Sequence, residues 1–165
     1  MTGPFDDLLA ANAAFARDFT DVGFDGVAAA GVAMVTCMDS RIDPLGMVGL
    51  RPGDAKILRN PGGRVTAAAL TALVLGVHLL NVRRVLVVPH TRCAMASSDE
   101  AELHRRLSDV AGTDCSWLPL GTIPDQDQAL RADVHSVRSH PLIPDSVAVG
   151  GFLYDVDTGA LRQVV

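Results

Sequence analysis

The chain has no run of lysine or arginine, no basic segment leading into an apolar one near its first residue, and no apolar stretch long enough to cross a bilayer comfortably. Each absence excludes something. Without a basic patch there is no track for phosphates, so nucleic acid is not expected as a partner; the net charge of −5 repels a polyanion only weakly, and the missing patch is the stronger point. Without the basic-then-apolar pattern, no secretory signal is expected. The longest apolar stretch, Val65 to Leu80, is interrupted by Thr66, Thr71 and His78, so no membrane partner is expected either. Cysteine is scarce, with three in 165 residues. An odd count without an export signal fits a reducing compartment and metal use better than a disulfide framework, and points to the cytoplasm.

What is present argues for an ordered protein. Hydrophobic residues make up 48% of the chain, enough to exclude disorder and to fill one core, so a single domain over 1–165 is expected. Residues 6–19 read as a helix with Phe5, Leu8, Leu9, Phe15 and Phe19 on roughly one face. A Gly-containing loop, Gly23 to Gly26, follows. Short apolar runs at 31–36, 55–59, 85–88 and 147–154 read as strands, and 160–164 as a final hairpin strand after the Asp157-Thr158-Gly159 turn. Helices are expected at 65–80, at 99–110 capped by Ser98, and at 125–138. Asp43-Pro44 should open a short helix that fades at Gly49, and 60–63 should be a loop outside helix and ladder. Strands alternating with helices predict an α/β fold: a mostly parallel sheet flanked by helices, with a helical arm over 1–25, a core over 30–165 and a C-terminal hairpin strand.

That topology gathers chemistry. Ligands bind at the carboxyl ends of parallel strands. Cys37 follows the first strand, Arg59-Asn60 the second, and His90 and Cys93 the third. Two thiolates and an imidazole are three strong zinc ligands, and three protein ligands leave one coordination position free for chemistry. His90 and Cys93, at i and i+3, can converge on one ion from a tight turn or a helix start. Asp39 and Arg41 lie two and four residues past Cys37. The carboxylate can orient a hydroxide on the metal or ligate the metal itself, and a bidentate contact from Arg41 would hold it in the first role. Cys115 reads as a bystander, His78 as a core or interface residue, and His104, His135 and His140 as exposed.

With these residues the chain resembles the β-class carbonic anhydrases, the shorter bacterial members in particular. The likeness rests on Cys37-Met38-Asp39-Ser40-Arg41, Arg59-Asn60-Pro61-Gly62-Gly63, His90-Thr91-Arg92-Cys93-Ala94-Met95 and the segment Gly151 to Gly159. The resemblance implies one zinc per chain on Cys37, His90 and Cys93, an Asp39–Arg41 dyad, and a substrate-pocket loop at Asn60, Gly62 and Gly63. It implies reversible hydration of carbon dioxide to bicarbonate through zinc-bound hydroxide, and a homodimer, with higher assembly left open, in which the N-terminal helix embraces the partner. Two alternatives stay open on the same ligands: hydrolysis of carbonyl sulfide or carbon disulfide, and a non-catalytic zinc-thiolate or redox-responsive protein. Ala94 stands where many relatives have glycine, and a positive φ there would cost roughly 1 kcal/mol. Arg92 places a bulky cation between two ligands.

Overall fold

The computed structural model describes residues 3–20, 23 and 25–165. Parts of the expected 1–25 arm and of the Gly23–Gly26 loop (residues 1, 2, 21, 22 and 24) lie outside them.

Helix α1 (Asp6–Arg17) opens the chain. Strand β1 (Val32–Cys37) is buried at every position. It is followed by a 3-10 turn at Gly46–Val48, strand β2 (Ala55–Asn60) and a second 3-10 turn at Pro61–Gly63. Helix α2 (Ala67–Leu79), strand β3 (Arg84–Val88), the short α3 (Ala94–Ser97), α4 (Glu100–Ala111), α5 (Gln126–Arg138), β4 (Ala148–Tyr154) and β5 (Leu161–Gln163) complete it. The sheet runs β2-β1-β3-β4-β5, with the first four strands parallel and β5 antiparallel to β4. The expected α/β architecture and terminal hairpin are therefore both present.

The sheet has two unlike faces. Ala33, Val35, Val85, Val87 and Val149 point to one, where α2 (Ala69, Leu73) and α5 (Leu130, Val134, Val137) close a core of buried side chains. Met34, Val88 and Tyr154 point to the other, together with Cys37 and Cys93. There Ile57, Leu86 and Phe152 are only partly covered. The two helices that close the core thus share one face, and Cys37 and Cys93, at and beyond the strand ends, pack with the residues of the other.

Several local readings change. The segment after Asp43 is a 3-10 turn, in which Asp43 Oδ1 accepts from the Gly46 amide at 3.0 Å. The expected loop at 60–63 divides: Asn60 pairs with Cys37 as the last ladder position, and Pro61–Gly63 forms the second 3-10 turn. Asp99, rather than Ser98, caps α4 by accepting from Glu102 N at 2.7 Å. Thr66 caps α2 in the same way, from Ala69 N at 3.2 Å. Helix α1 buries no residue, so Phe5, Leu8, Leu9, Phe15 and Phe19 are exposed in the single chain.

Candidate metal centre

Cys37 is the last residue of β1, and His90 stands two residues beyond β3, so the parallel pairing of these strands carries both to the same edge of the sheet. Buried Thr36 ties the two strands there, its hydroxyl donating to the Val88 carbonyl at 2.7 Å. The chain turns through Thr91 and Arg92 to Cys93, which occupies the N-cap position of α3. One donor atom from each of Cys37, His90 and Cys93 lies within 4.8 Å of the others, and all three residues are buried.

The geometry fits a tetrahedral ion. The two Sγ atoms are 4.0 Å apart, and two thiolates on one zinc at its usual bond length stand about 3.8 Å apart. Nδ1 of His90 lies 2.9 Å from the Thr91 carbonyl. As donor there, it leaves Nε2 with its lone pair free, and Nε2 is a buried nitrogen without a hydrogen-bond partner among the described residues. Burial lowers the pKa of His90, which keeps the ring neutral, the form that ligates metal. Burial, reinforced by the neighbouring Cys37 thiol, pushes Cys93 up. Such a thiol ionises when a cation is there to compensate it.

Asp39 and Arg41 flank this triangle. Arg41 grips the carboxylate with both ends of its fork, Nε to Oδ1 at 2.9 Å and Nη2 to Oδ2 at 2.7 Å, and its amide adds a third bond to Oδ1 at 2.9 Å. These bonds hold the Asp39 carboxyl well below the usual carboxylate range. Oδ2 stands 3.8 Å from His90 Nε2, too far for a hydrogen bond and near enough to address whatever the ring ligates.

The loop at Asn60, Gly62 and Gly63 packs beside Cys37. Gly63 has φ +67°, and a Cβ there would meet the Cys37 amide nitrogen at 2.9 Å, so only glycine fits. Asn60 closes the loop by bracketing Arg64, accepting from its amide at 2.8 Å and donating to its carbonyl at 2.7 Å. The concern over Ala94 does not arise, because that residue sits in the first turn of α3. The unusual backbone is Arg92, at φ 53°, a conformation costing an L-residue roughly 1–2 kcal/mol. Its side chain pairs with Asp157 at 2.6 Å, and its carbonyl accepts from Arg41 Nη2 at 3.4 Å. The terminal hairpin seats the same turn: the Thr91 amide donates to the Tyr154 carbonyl at 2.9 Å, and the Val156 amide to Thr91 Oγ1 at 3.2 Å.

The other cysteine and histidines stay outside the triangle. Cys115 is half-buried, and its thiol faces the Thr113 carbonyl. His78 is exposed in the single chain, where Nε2 meets the Leu142 carbonyl at 2.7 Å. His104, expected exposed, is half-buried against the Leu118 carbonyl at 2.7 Å; His140 is half-buried too, and His135 is exposed. Sequence reasoning missed two supports. Gln126 Nε2 donates to the His90 carbonyl at 3.0 Å. Buried Asp133 takes Arg64 in a two-pronged ion pair at 2.6 and 3.0 Å, and also accepts from the Val65 amide at 3.1 Å. Its place on a polar helix gave no signal of this.

Two thiols and a neutral imidazole at the carboxyl edge of a parallel sheet, with a clamped carboxylate beside them, form a donor set that could hold one zinc ion. The sequence model of the carbonic anhydrase family matches residues 32–113. The chain is 31% identical to beta-carbonic anhydrase 1 of Mycobacterium tuberculosis over 163 residues, 96% of each chain. It is 30% identical to a carbon disulfide hydrolase of Acidithiobacillus thiooxidans, over 76% of this chain and 73% of that one. The crystal structure of carbonic anhydrase from Streptococcus mutans superposes with a TM-score of 0.89 at 33% identity, covering 100% of this chain and 99% of that one. The chain belongs to the β-carbonic anhydrase family, and its cofactor is zinc.

Proposed function

We propose that the chain catalyses the reversible hydration of carbon dioxide to bicarbonate and a proton, with zinc held by Cys37, His90 and Cys93. The observation that carries this reading is the free, buried Nε2 of His90, converging with two thiols beside a carboxylate that Arg41 keeps ionised. Zinc bound there supplies Lewis acidity, which brings the pKa of water to ~7.

The chain's own groups do the rest. Asp39 accepts the hydrogen of the attacking water and turns its lone pair toward the substrate. Arg41 occupies both carboxylate oxygens and restrains Asp39 from swinging inward as a fourth ligand, which argues against a closed, non-catalytic zinc-thiolate site. The apolar surroundings of the two sulfurs, including Met34, Ile42 and Val88, exclude water and suit an uncharged triatomic substrate. The close packing of Gly63 on the Cys37 backbone supports assigning Asn60, Gly62 and Gly63 to one wall of the substrate pocket.

Asp39 does not titrate near neutrality. Its carboxyl is depressed, so the stability contributed by its pairing is present above the unfolded value of about 3.9 and is lost as pH falls through the folded one. A rise in rate between pH 6.5 and 9 is therefore not a titration of Asp39 and is the direction expected of ionising water. Stopped-flow hydration is expected to rise across that range in protein carrying one zinc per chain. A flat or falling profile contradicts the mechanism.

The likeness to a carbon disulfide hydrolase supports a second reading on the same zinc, hydrolysis of carbon disulfide or carbonyl sulfide. Paired assays on carbon dioxide and the two sulfur substrates separate them.

We also infer one domain, with a core over 30–165 and an arm over 1–25, working in the cytoplasm as a homodimer. What supports the dimer is the apolar face of α1, together with Leu75 and Leu79 exposed on α2. No helix among the described residues is long and apolar enough to cross a membrane. Sedimentation equilibrium is expected to give at least twice the chain mass; a monomer at micromolar concentration contradicts this.

A further inference from the structure

We propose that Arg59 is a positioning residue for this reaction: its guanidinium fastens the loop from Cys37 to Ile42 and thereby sets where the Asp39 carboxylate stands. The inference rests on the zinc-hydration reading. Parallel pairing sets Arg59 opposite Thr36, one residue before the first ligand. From there Nε donates to the Cys37 carbonyl at 2.9 Å, Nη2 to the Asp39 carbonyl at 2.6 Å, and Nη1 to the Ile42 carbonyl at 3.4 Å. Among the described residues, every hydrogen bond its side chain makes goes to this one loop.

The loop has few other restraints. Beyond β1 its backbone is held by Met38 N to the Asn60 carbonyl at 3.1 Å and by two bonds within the loop, Ile42 N to the Asp39 carbonyl at 3.2 Å and Arg41 N to Asp39 Oδ1 at 2.9 Å. Asp39 is consequently held by two arginines with separate tasks: Arg41 orients its carboxylate, and Arg59 holds its main chain. A misplacement of about 1 Å at a reacting group can cost on the order of 100-fold in rate. Three carbonyls converging on one planar fork also explain why arginine stands here. A lysine ammonium is a single point of charge and cannot reproduce the spread of three bonds.

The test compares Arg59→Lys, Arg59→Gln and Arg59→Met with the unaltered protein. Each is loaded with zinc for stopped-flow hydration and with cobalt for visible absorption. The expected result is folded protein with KM within about twofold, kcat lowered by about 10–100-fold, a changed cobalt spectrum, and no recovery in the lysine variant. The proposal is overturned if kcat stays within about twofold, if lysine restores it, if only the thermal midpoint falls, or if none of the three folds, since Arg59 would then be a purely structural residue. An unaltered protein that fails to hydrate carbon dioxide sinks the functional reading instead. The cobalt spectra still report whether Arg59 shapes the metal's surroundings.

Discussion

Replacing His90 with alanine is expected to remove both the metal and the activity, the largest effect any single substitution should have here. The ring is completely buried, and the nearest side chain that could take over its ligand position, the Asp39 carboxylate 3.8 Å from Nε2, is clamped by Arg41. What remains is a pair of thiols 4.0 Å apart, one of them raised by burial, with less to gain from ionising around a two-coordinate ion. Zinc content should fall below about a tenth of an atom per chain. Carbon dioxide hydration should drop by at least about 1,000-fold, because acidification of water at neutral pH depends on the ion. His90→Gln separates metal loss from the cavity that alanine leaves, since it keeps most of the volume. Full zinc stoichiometry in both variants, measured by elemental analysis, would remove His90 from the ligand set.

Asp39→Asn should produce the second-largest loss, of a different kind. Asparagine keeps the shape of the side chain, but its amide presents hydrogens to an Arg41 fork that already offers only donors. Zinc should remain stoichiometric while kcat falls by about 100-fold, at the lower end of what a positioned proton acceptor contributes. Arg41→Ala should lose a comparable factor, because the carboxylate is then free to leave its orientation. Below neutrality the unaltered protein should show no limb from Asp39 until pH falls well beneath the ordinary carboxylate range. Turnover within twofold of the unaltered protein, with zinc in place, would take the dyad out of the mechanism.

The parts of this protein that were readable in advance share a physical cause. Buried parallel strands are apolar runs, and the residues just past the end of each run must emerge at the same edge. Cys37, Asn60 and His90 could therefore be brought together from the apolar runs and their alternation with helices. The misreadings come from information that adjacent residues do not carry. Ser98 and Asp99 are both good caps, and only the bond to Glu102 N decides between them. Asp133 looks like one more charge on a wet helix, while its partner Arg64 lies 69 residues away. The backbone at Arg92 adopts a conformation that nothing in an arginine announces, held by an aspartate from the terminal hairpin. Three carbonyls turned toward Arg59 are equally silent, because a carbonyl belongs to every residue.

The two sulfurs are 56 residues apart along the chain, one at the last residue of β1 and the other at the N-cap of α3, beyond the neighbouring β3. An ion held by both would act as a reversible rivet at the carboxyl edge of the sheet, closing a loop whose ends an unfolded chain would seldom bring together. Catalyst and fastener would then be one atom, so stripping the metal should lower the thermal midpoint as well as the turnover.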